Sequence, residues 1–352
     1  MKRVPLNIRL LLVFVIFLAG FLLTRYRFNR IHTFSYYKSM IQAVELAQDW
    51  FDIIGEEKQR REIISDAGSG VPNGFMIGDD FTSITTTLGS LSAKEVSSNP
   101  DFAALMVRLL KTAGMEPGNK AGLIISGSFP ALAVSTLAAI RVLDMEAVIM
   151  SSLGASTFGA NQEEATWIDM ETWLEHHPDF SFSSLLVSYG AENDRGEGMT
   201  EEGRDNIRKA AARNDRQLYI PASLMESIRY KTEILSEENI DILINIGGNQ
   251  SALGGCSHAS AMPNGLQHHI RLCRDPDRGI LQEMNEMGVP VINLLNIRDL
   301  ASVYGIDLSP GNDYAESTNL FADHKPDRIA VMISLIIGFL CLIILLDIRI
   351  RK

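Results

Sequence analysis

The sequence has few cysteines and none of the common nucleotide-binding or zinc-protease signatures. Its 352 residues include three cysteines and 12 prolines. Cys256 and Cys273 are close enough in sequence either to form a disulfide or to remain two buried thiols. No G-x-x-x-x-G-K-[ST], H-E-x-x-H or G-x-G-x-x-G motif occurs. These absences argue against ATP hydrolysis by a P-loop, zincin chemistry and Rossmann-type dinucleotide binding, so no cofactor is predicted.

Positive charge is scarce between the two ends of the chain. Residues 31–327 carry 22 basic and 42 acidic side chains. A phosphate backbone would be repelled by this region, which argues against nucleic acid as a partner, and an anionic ligand would need a local positive pocket. The 46% content of hydrophobic residues is enough for a sizeable core and is not typical of a disordered protein.

Two uncharged hydrophobic segments flank this acidic region and predict a membrane anchor at each end. The second, residues 329–346, is long enough to cross a hydrocarbon core of about 30 Å at about 1.5 Å per residue. The first, residues 10–24, has the length of a signal-peptide core. Arg25, Tyr26 and Arg27 follow it in place of a small-residue cleavage site, which favours an uncleaved anchor.

Two membrane spans would place both termini on the same side of a cell membrane. Basic residues are divided equally between the terminal and the inner flanks, so the positive-inside rule gives no orientation. Because a signal-anchor-like segment usually exports the domain on its C-terminal side, we expect cytoplasmic termini and an extracytoplasmic domain. We divide the chain into an N-terminal membrane anchor (1–30), a helical stalk and loop (31–75), an α/β domain (76–327) and a C-terminal transmembrane helix with a basic tail (328–352).

Short apolar runs alternate with helical patterns through the α/β domain. Buried strands are predicted at AGLIIS, EAVIMSS, SSLLVSYG, DILINIGG and PVINLL, with helices such as residues 99–114 and 201–213 between them. This alternation predicts an α/β fold with a mainly parallel sheet and helices on both faces. Residues 35–64 also have helical periodicity, and this helix either stands as a stalk or packs on the domain.

Three turns at the predicted carboxyl ends of strands are candidates for a ligand site. Ligands of parallel sheets bind beyond these ends, and backbone N–H groups there can face an anion, so the turns predict one shared cleft. The alternative is that their glycines only permit tight strand-to-helix turns. The predicted ligand-binding residues are Gly127, Ser128, Glu192, Asn193, Gly247, Gly248, Asn249 and Gln250.

Ser128 is the candidate nucleophile, because it follows a strand and precedes a helix as in a nucleophile elbow. Its S-G-S-F-P context lacks the second glycine of that motif, and a hydroxyl that caps the following helix is the alternative. Histidines and cysteines at residues 256–273 supply metal-binding atom types. Their spacing matches no zinc motif, so no metal site is predicted.

Several segments resemble the poly-gamma-glutamate system protein family. They are TTTLG (85–89), SSNP (97–100), SGSFPAL, SSLGAST with FGAN and TWIDME, and NIGGNQSALGG. The resemblance extends from residue 78 to residue 296, and the flanking hydrophobic segments are consistent with it. It implies a membrane component that works with the synthase and export proteins of poly-gamma-glutamate, a cell-envelope polymer. It implies no reaction and no catalytic residue.

We therefore expect a membrane-anchored, non-catalytic accessory component of poly-gamma-glutamate synthesis or export, with the other membrane proteins of that system as partners. The acidic domain would repel a polycarboxylate over most of its surface. A cleft for one glutamyl chain end, whose ammonium group could sit beside Glu192, suits this charge better than broad polymer binding. Two alternatives remain open: a hydrolase or transferase acting on γ-glutamyl bonds with Ser128 as nucleophile, and a small-molecule binding sensor.

Overall fold

The computed structural model describes residues 5–28, 32–255, 262–271, 273, 278–308, 318–323, 332–341 and 343. The chain forms two compact units, one at Tyr36–Leu320 and one built from both ends, Met1–Ser35 and Phe321–Lys352. The helices are α1 (Leu6–Phe28), α2 (Tyr37–Arg60), α3 (Leu91–Ser97), α4 (Asp101–Thr112), α5 (Pro130–Val142), α6 (Trp167–Leu174), α7 (Glu201–Arg213), α8 (Leu224–Glu237), α9 (Gln250–Leu253), α10 (Ile280–Glu286), α11 (Ile297–Tyr304) and α12 (Thr318–Phe321). The strands are β1 (His32–Thr33), β2 (Thr85–Thr87), β3 (Lys120–Ser126), β4 (Glu146–Ser152), β5 (Ala155–Ser156), β6 (Ser184–Ser188), β7 (Leu218–Tyr219), β8 (Ile242–Ile246), β9 (Gly265–Gln267), β10 (Val291–Leu294) and β11 (Ala322–Asp323).

A seven-stranded sheet forms the centre of the larger unit. Its strand order is β7-β6-β4-β3-β8-β10-β9, and neighbouring strands are parallel except for the edge strand β9, which is antiparallel to β10. The predicted α/β class with a mainly parallel sheet is therefore confirmed. All five predicted strands are present. They could be recognised because a strand that lies between two helical layers is apolar on both faces and forms a continuous apolar run, as the buried residues Leu123, Ile149 and Ile244 show.

The sheet grows in two directions from β3. The chain first adds β4, β6 and β7 on one side, and then β8 returns to the other side of β3 and is followed by β10. β3 and β8 pair in parallel as far as Ile125 and Ile246. A crevice opens beyond the carboxyl ends of two such strands, because their connections leave in opposite directions.

Helices cover both faces of the sheet. α8, α9 and α10 contact one another over a buried cluster that includes Ile124 and Leu243 of the central strands. α2, α4 and α5 contact one another as a second layer, and α5 contacts β3 and β4. Since side chains alternate along a strand, Leu123 and Ile125 face this second layer.

α2 belongs to the core of the larger unit. Trp50 and Phe51 on this helix are fully buried, and the Trp50 ring lies edge-on to Phe180 with 5.1 Å between centroids. Of the two alternatives for residues 35–64, the structure has the helix packed on the domain rather than standing as a stalk. The α/β unit thus begins at Tyr36, because an apolar face of α2 is buried against α4 and α5.

The smaller unit brings the two ends of the chain together. α1 lies beside the helical residues 332–341, where a Cβ atom on Gly20 would be 2.9 Å from Ile337 Cδ1. β1 and β11 pair antiparallel. Over the described ranges, none of the helices is both long enough and apolar enough to cross a bilayer. The two spans expected in residues 1–30 and 328–352 are therefore not supported by the described parts of these segments, residues 5–28, 332–341 and 343; their other residues lie outside the described part of the chain.

The cysteines that the structure describes differ in state. Cys273 is disulfide-bonded, whereas Cys341 is a free thiol. Cys256, the partner considered from the sequence, lies outside the described residues. His268 and His269 are exposed. Among the residues that the structure describes, no group of three or more His, Cys, Asp or Glu side chains is arranged to hold a metal ion.

Candidate functional site

A cleft of ≈530 Å³ lies at the carboxyl ends of β3, β4, β6 and β8. Part of its wall comes from the segment that contains β2, including Thr86 and Gly89. Its volume is in the range of small-molecule sites. Ser128, Glu192 and Asn249 all line it, so the three turns singled out in the sequence do converge. The reversal of strand order between β3 and β8 explains why they meet at this edge.

The eight predicted ligand residues divide into two groups. Five line the cleft and three do not. The first group is Ser128, Glu192, Gly248, Asn249 and Gln250, and the second is Gly127, Asn193 and Gly247. Asn193 has a supporting contact, because its backbone N–H donates to Gln250 Oε1 at 2.6 Å. Whether these residues bind a ligand stays a prediction.

Ser128 contacts hydroxyl and amide groups at the base of the cleft. Its Oγ accepts hydrogen bonds from Ser126 Oγ and from the backbone N–H of Ser156, both at 3.0 Å. The alternative in which Ser128 caps α5 is wrong. The N-cap residue is Phe129, without a side-chain cap bond, and Pro130 follows. A proline in the first turn has no N–H that needs a cap.

Lys94 on α3 lines the cleft but was not predicted from the sequence. Its side chain is 3% exposed. Nζ donates to the carbonyl oxygen of Ser128 and to Ser156 Oγ, the latter at 3.0 Å, and lies 3.4 Å from the centroid of the Phe129 ring. Burial lowers the pKa of Lys94 from its usual 10.5 to about 7. No carboxylate of the described residues offsets that effect.

Two glutamates line the same cleft. Glu192 and Glu197 are both exposed. Glu197 accepts a hydrogen bond from Asn193 Nδ2 at 2.6 Å, whereas Glu192 makes no ion pair within the described part of the chain. The cleft thus combines one buried amine with two exposed carboxylates. Such a site is complementary to a ligand that carries an ammonium group together with carbonyl or carboxylate oxygens.

A buried ion pair fixes one wall of the cleft. Lys231 Nζ on α8 is 2.6 Å from Asp194 Oδ2, and both side chains are 1% exposed. Asp194 also accepts from Ser227 Oγ at 2.6 Å. Lys231 donates to Ser251 Oγ at 3.2 Å, which in turn donates to Asn249 Oδ1 at 2.6 Å. The added hydrogen bonds offset part of the cost of burying two charges, and they connect α8 to a side chain of the cleft.

The loop after β6 has an unusual backbone. Gly190, Ala191, Asn193 and Asp194 have φ of +71°, +58°, +58° and +60°. Gly190 has a second constraint, since a Cβ atom there would lie 2.9 Å from Ser152 Cβ. The left-handed region is unfavourable for the non-glycine residues, and such strain persists only where the surroundings impose it. The ion pair of Asp194 supplies one such restraint.

Comparison of the chain with protein-family models, with curated proteins and with solved structures gave no match in any of the three. The resemblance to the poly-gamma-glutamate system protein family therefore stays a prediction. The candidate site rests on the geometry of the cleft.

Lys94 should make the stability of the fold depend on pH. The pKa of Lys94 is about 7 in the folded chain and 10.5 in the unfolded one, so between these values this lysine holds up to one more proton in the unfolded chain than in the folded chain. The free energy of unfolding should therefore rise with pH, by at most about 1.4 kcal/mol per pH unit for this group. Lys94→Met should remove the part of the rise that falls between pH 7 and pH 8, as measured by denaturant unfolding of the full chain in detergent.

Lys58 provides the matched control for this experiment. It is also a buried lysine, and burial lowers its pKa to about 8 despite the nearby charge of Asp79. Lys58→Met should therefore flatten the rise only above pH 8 and leave the interval between pH 7 and pH 8 unchanged. An unaltered slope in that interval for Lys94→Met would show that Lys94 stays protonated in the folded protein.

Proposed function

We propose that the protein is a membrane-anchored component of poly-gamma-glutamate synthesis or export at the cell envelope, and that its cleft captures one glutamyl chain end. The observation that carries this proposal is the charge arrangement within one cleft. Glu192 and Glu197 can receive the terminal ammonium group, and the side-chain amides of Asn249 and Gln250 can donate to the γ-carbonyl and carboxylate oxygens. Lys94 in its protonated form adds a positive charge that attracts these oxygens.

The segments that resemble the family supply the walls of this cleft. Gly89 comes from TTTLG, Ser128 from SGSFPAL, Ser156 from SSLGAST and Asn249 from NIGGNQSALGG. These segments are far apart in sequence, and the fold brings them to one edge of the sheet. Their convergence supports a common role in binding one ligand.

The charge of the domain favours a chain end over an internal stretch of polymer. The only charged groups of an internal stretch are carboxylates, which the 42 acidic residues between positions 31 and 327, including Glu192 and Glu197, would repel. A free amino terminus adds the ammonium group that these glutamates attract. Capture of an end also leaves the remaining polymer outside the cleft.

The smaller unit supports a location in the membrane. Large hydrophobic side chains are exposed on α1, with Leu11 and Phe14 each 62% exposed, and on residues 332–341, with Leu335 at 68% and Phe339 at 66%. An apolar surface of this kind is unfavourable in water, and lipid would cover it. We propose that both ends are anchors, with cytoplasmic termini and an extracytoplasmic domain that meets the synthase and export proteins.

The cleft should distinguish a free amino terminus from a blocked one. Isothermal titration of the full chain in detergent should show that γ-glutamyl-glutamate binds at least about tenfold more tightly than its N-acetyl derivative, a difference of about 1.4 kcal/mol. Glu192→Gln should reduce this preference, because it removes a carboxylate that faces the ammonium group. Lys94→Met should weaken the binding of both peptides, because it removes the positive charge that protonated Lys94 brings to the cleft.

Glu237→Gln is the control for the binding experiment. Glu237 is an exposed glutamate at the end of α8 and does not line the cleft, so both affinities should match those of the native chain. Equal affinity for the two peptides, or no binding of either, would contradict capture of a chain end. If Glu237→Gln lost as much of the preference for the free amino terminus as Glu192→Gln, the preference would depend on the net charge of the protein and not on a contact with Glu192.

The proposed location can be tested with Ser69→Cys, because Ser69 is exposed on the larger unit. A maleimide that cannot cross the inner membrane should label this variant in intact cells, or after an outer membrane alone is permeabilised. The native chain provides the background, since Cys273 is disulfide-bonded and Cys341 is buried. Labelling that appears only after the inner membrane is lysed would place the domain in the cytoplasm.

A further inference from the structure

We propose that Lys94 and Ser156 form a pair of base and nucleophile, which makes the cleft a centre for acyl transfer from a γ-glutamyl amide. Nζ of Lys94 is 3.0 Å from Ser156 Oγ, and both residues line the cleft. The inference rests on the chain-end binding proposed above. It gives the accessory component a reaction, in place of the non-catalytic role expected from the sequence.

The surroundings of Lys94 fit a neutral amine. Such an amine has two N–H donors and one lone pair. The carbonyl oxygen of Ser128 and the face of the Phe129 ring receive two donors. In the protonated amine the third N–H donates to Ser156 Oγ. Loss of that proton leaves a lone pair that can accept the Ser156 hydroxyl proton, whose other acceptor, the carbonyl oxygen of Thr157, is 3.5 Å away. Because burial lowers the pKa of Lys94 to about 7, a substantial fraction of the protein holds this lysine neutral at neutral pH, as a general base requires.

The position of Ser156 is fixed by its neighbours. It lies on β5, which pairs in parallel with β2, and its backbone N–H donates to Ser128 Oγ at 3.0 Å. A Cβ atom on Gly89 would lie 2.8 Å from Ser156 Oγ. Glycine at this position therefore leaves the hydroxyl free of a neighbouring side chain on that side.

Ser128 supports the reaction instead of starting it. Its Oγ accepts two hydrogen bonds, and no acceptor among the described residues takes its own proton. The Ser128 hydroxyl can therefore donate to the oxygen that becomes negative when Ser156 attacks a carbonyl carbon. Ser128 was predicted as the nucleophile from its position in the sequence, but the proposed base, Lys94, lies beside Ser156 Oγ.

The reaction needs no redox partner and no further reactant except water or an amine. Ser156 Oγ forms a bond to the γ-carbonyl carbon while its proton passes to Lys94 Nζ. The carbon–nitrogen bond then breaks, Lys94 gives its proton to the leaving nitrogen, and a γ-glutamyl ester remains on Ser156. Water or the amine of a second chain then attacks the ester carbon while Lys94 Nζ takes a proton from it. The bond between this carbon and Ser156 Oγ breaks, and Lys94 gives that proton to Ser156 Oγ. Hydrolysis shortens a chain, and attack by an amine transfers the glutamyl group.

A fluorophosphonate probe, which forms a covalent bond to activated serines, tests the pair directly. Labelling of the full chain in detergent, followed by peptide mapping, should give one adduct, on Ser156. The labelling rate should rise with pH around 7, where Lys94 loses its proton. Ser156→Ala should abolish the adduct, and Lys94→Met should slow labelling by at least about a hundredfold, the usual lower range for a general base.

Two further variants separate catalysis from folding. Lys58→Met replaces the other buried lysine, which donates to the carbonyl oxygen of Phe75 outside the cleft, and it should keep the native rate and pH profile. Ser128→Ala should slow labelling while the adduct stays on Ser156. An adduct on Ser128, labelling of Ser156→Ala at the native rate, no adduct on the native chain, or a native pH profile in Lys94→Met would each overturn the proposal.

The binding of γ-glutamyl-glutamate to Ser156→Ala separates this inference from the proposed function. Retained binding with loss of the adduct, together with loss of p-nitroaniline release from γ-glutamyl-p-nitroanilide, supports the pair. Retained binding by a native chain that neither forms the adduct nor releases p-nitroaniline overturns the pair and leaves chain-end capture intact. An adduct on Ser156 without peptide binding by the native chain overturns chain-end capture, and with it the γ-glutamyl substrate.

Discussion

The reversal of strand order between β3 and β8 is the constraint on which the candidate site depends. The chain builds the sheet outward through β4, β6 and β7 and then returns to the opposite side of β3. The connections at this point leave in opposite directions, so a crevice opens at the carboxyl ends of the strands. Turns that are far apart in sequence meet there. The segment around β2 and the ion pair between Lys231 and Asp194 then shape and fix its walls.

Within this cleft, Lys94 is a buried lysine without a carboxylate partner among the described residues. Burial of an amine disfavours its charged form, and residues 31–327 contain 42 acidic side chains, any of which could have been placed beside it. The described surroundings instead offer a carbonyl oxygen, a hydroxyl and an aromatic face. These groups fix the position of the amine but supply no negative charge to stabilise its protonated form. A residue in such surroundings can donate to a ligand or take a proton from a neighbouring hydroxyl.

Much of the fold could be predicted from the sequence, and part of the site could not. β4 was predicted at its observed bounds, because a strand buried on both faces must be a continuous apolar run with a polar or turn residue at each end. The three turns could be placed at strand ends from the sequence. The strand order that makes them neighbours could not, because local hydrophobic patterns do not predict the order of strands in a sheet. Lys94 was missed because the sequence does not distinguish a buried lysine from an exposed one. Its short helix α3 also follows a hydroxyl-rich segment without apolar periodicity. Ser156 was missed for a related reason, because its partner base is distant in sequence.

The most direct test of the account is an experimental structure of the Ser156→Ala chain with γ-glutamyl-glutamate bound. The account predicts that the amino-terminal residue of the peptide lies in the cleft, with its ammonium group beside Glu192. Its γ-carbonyl oxygen should lie within hydrogen-bonding distance of Ser128 Oγ, on the side of the cleft that Lys94 lines. A peptide bound elsewhere, or one whose ammonium group lies against Lys94, would contradict it.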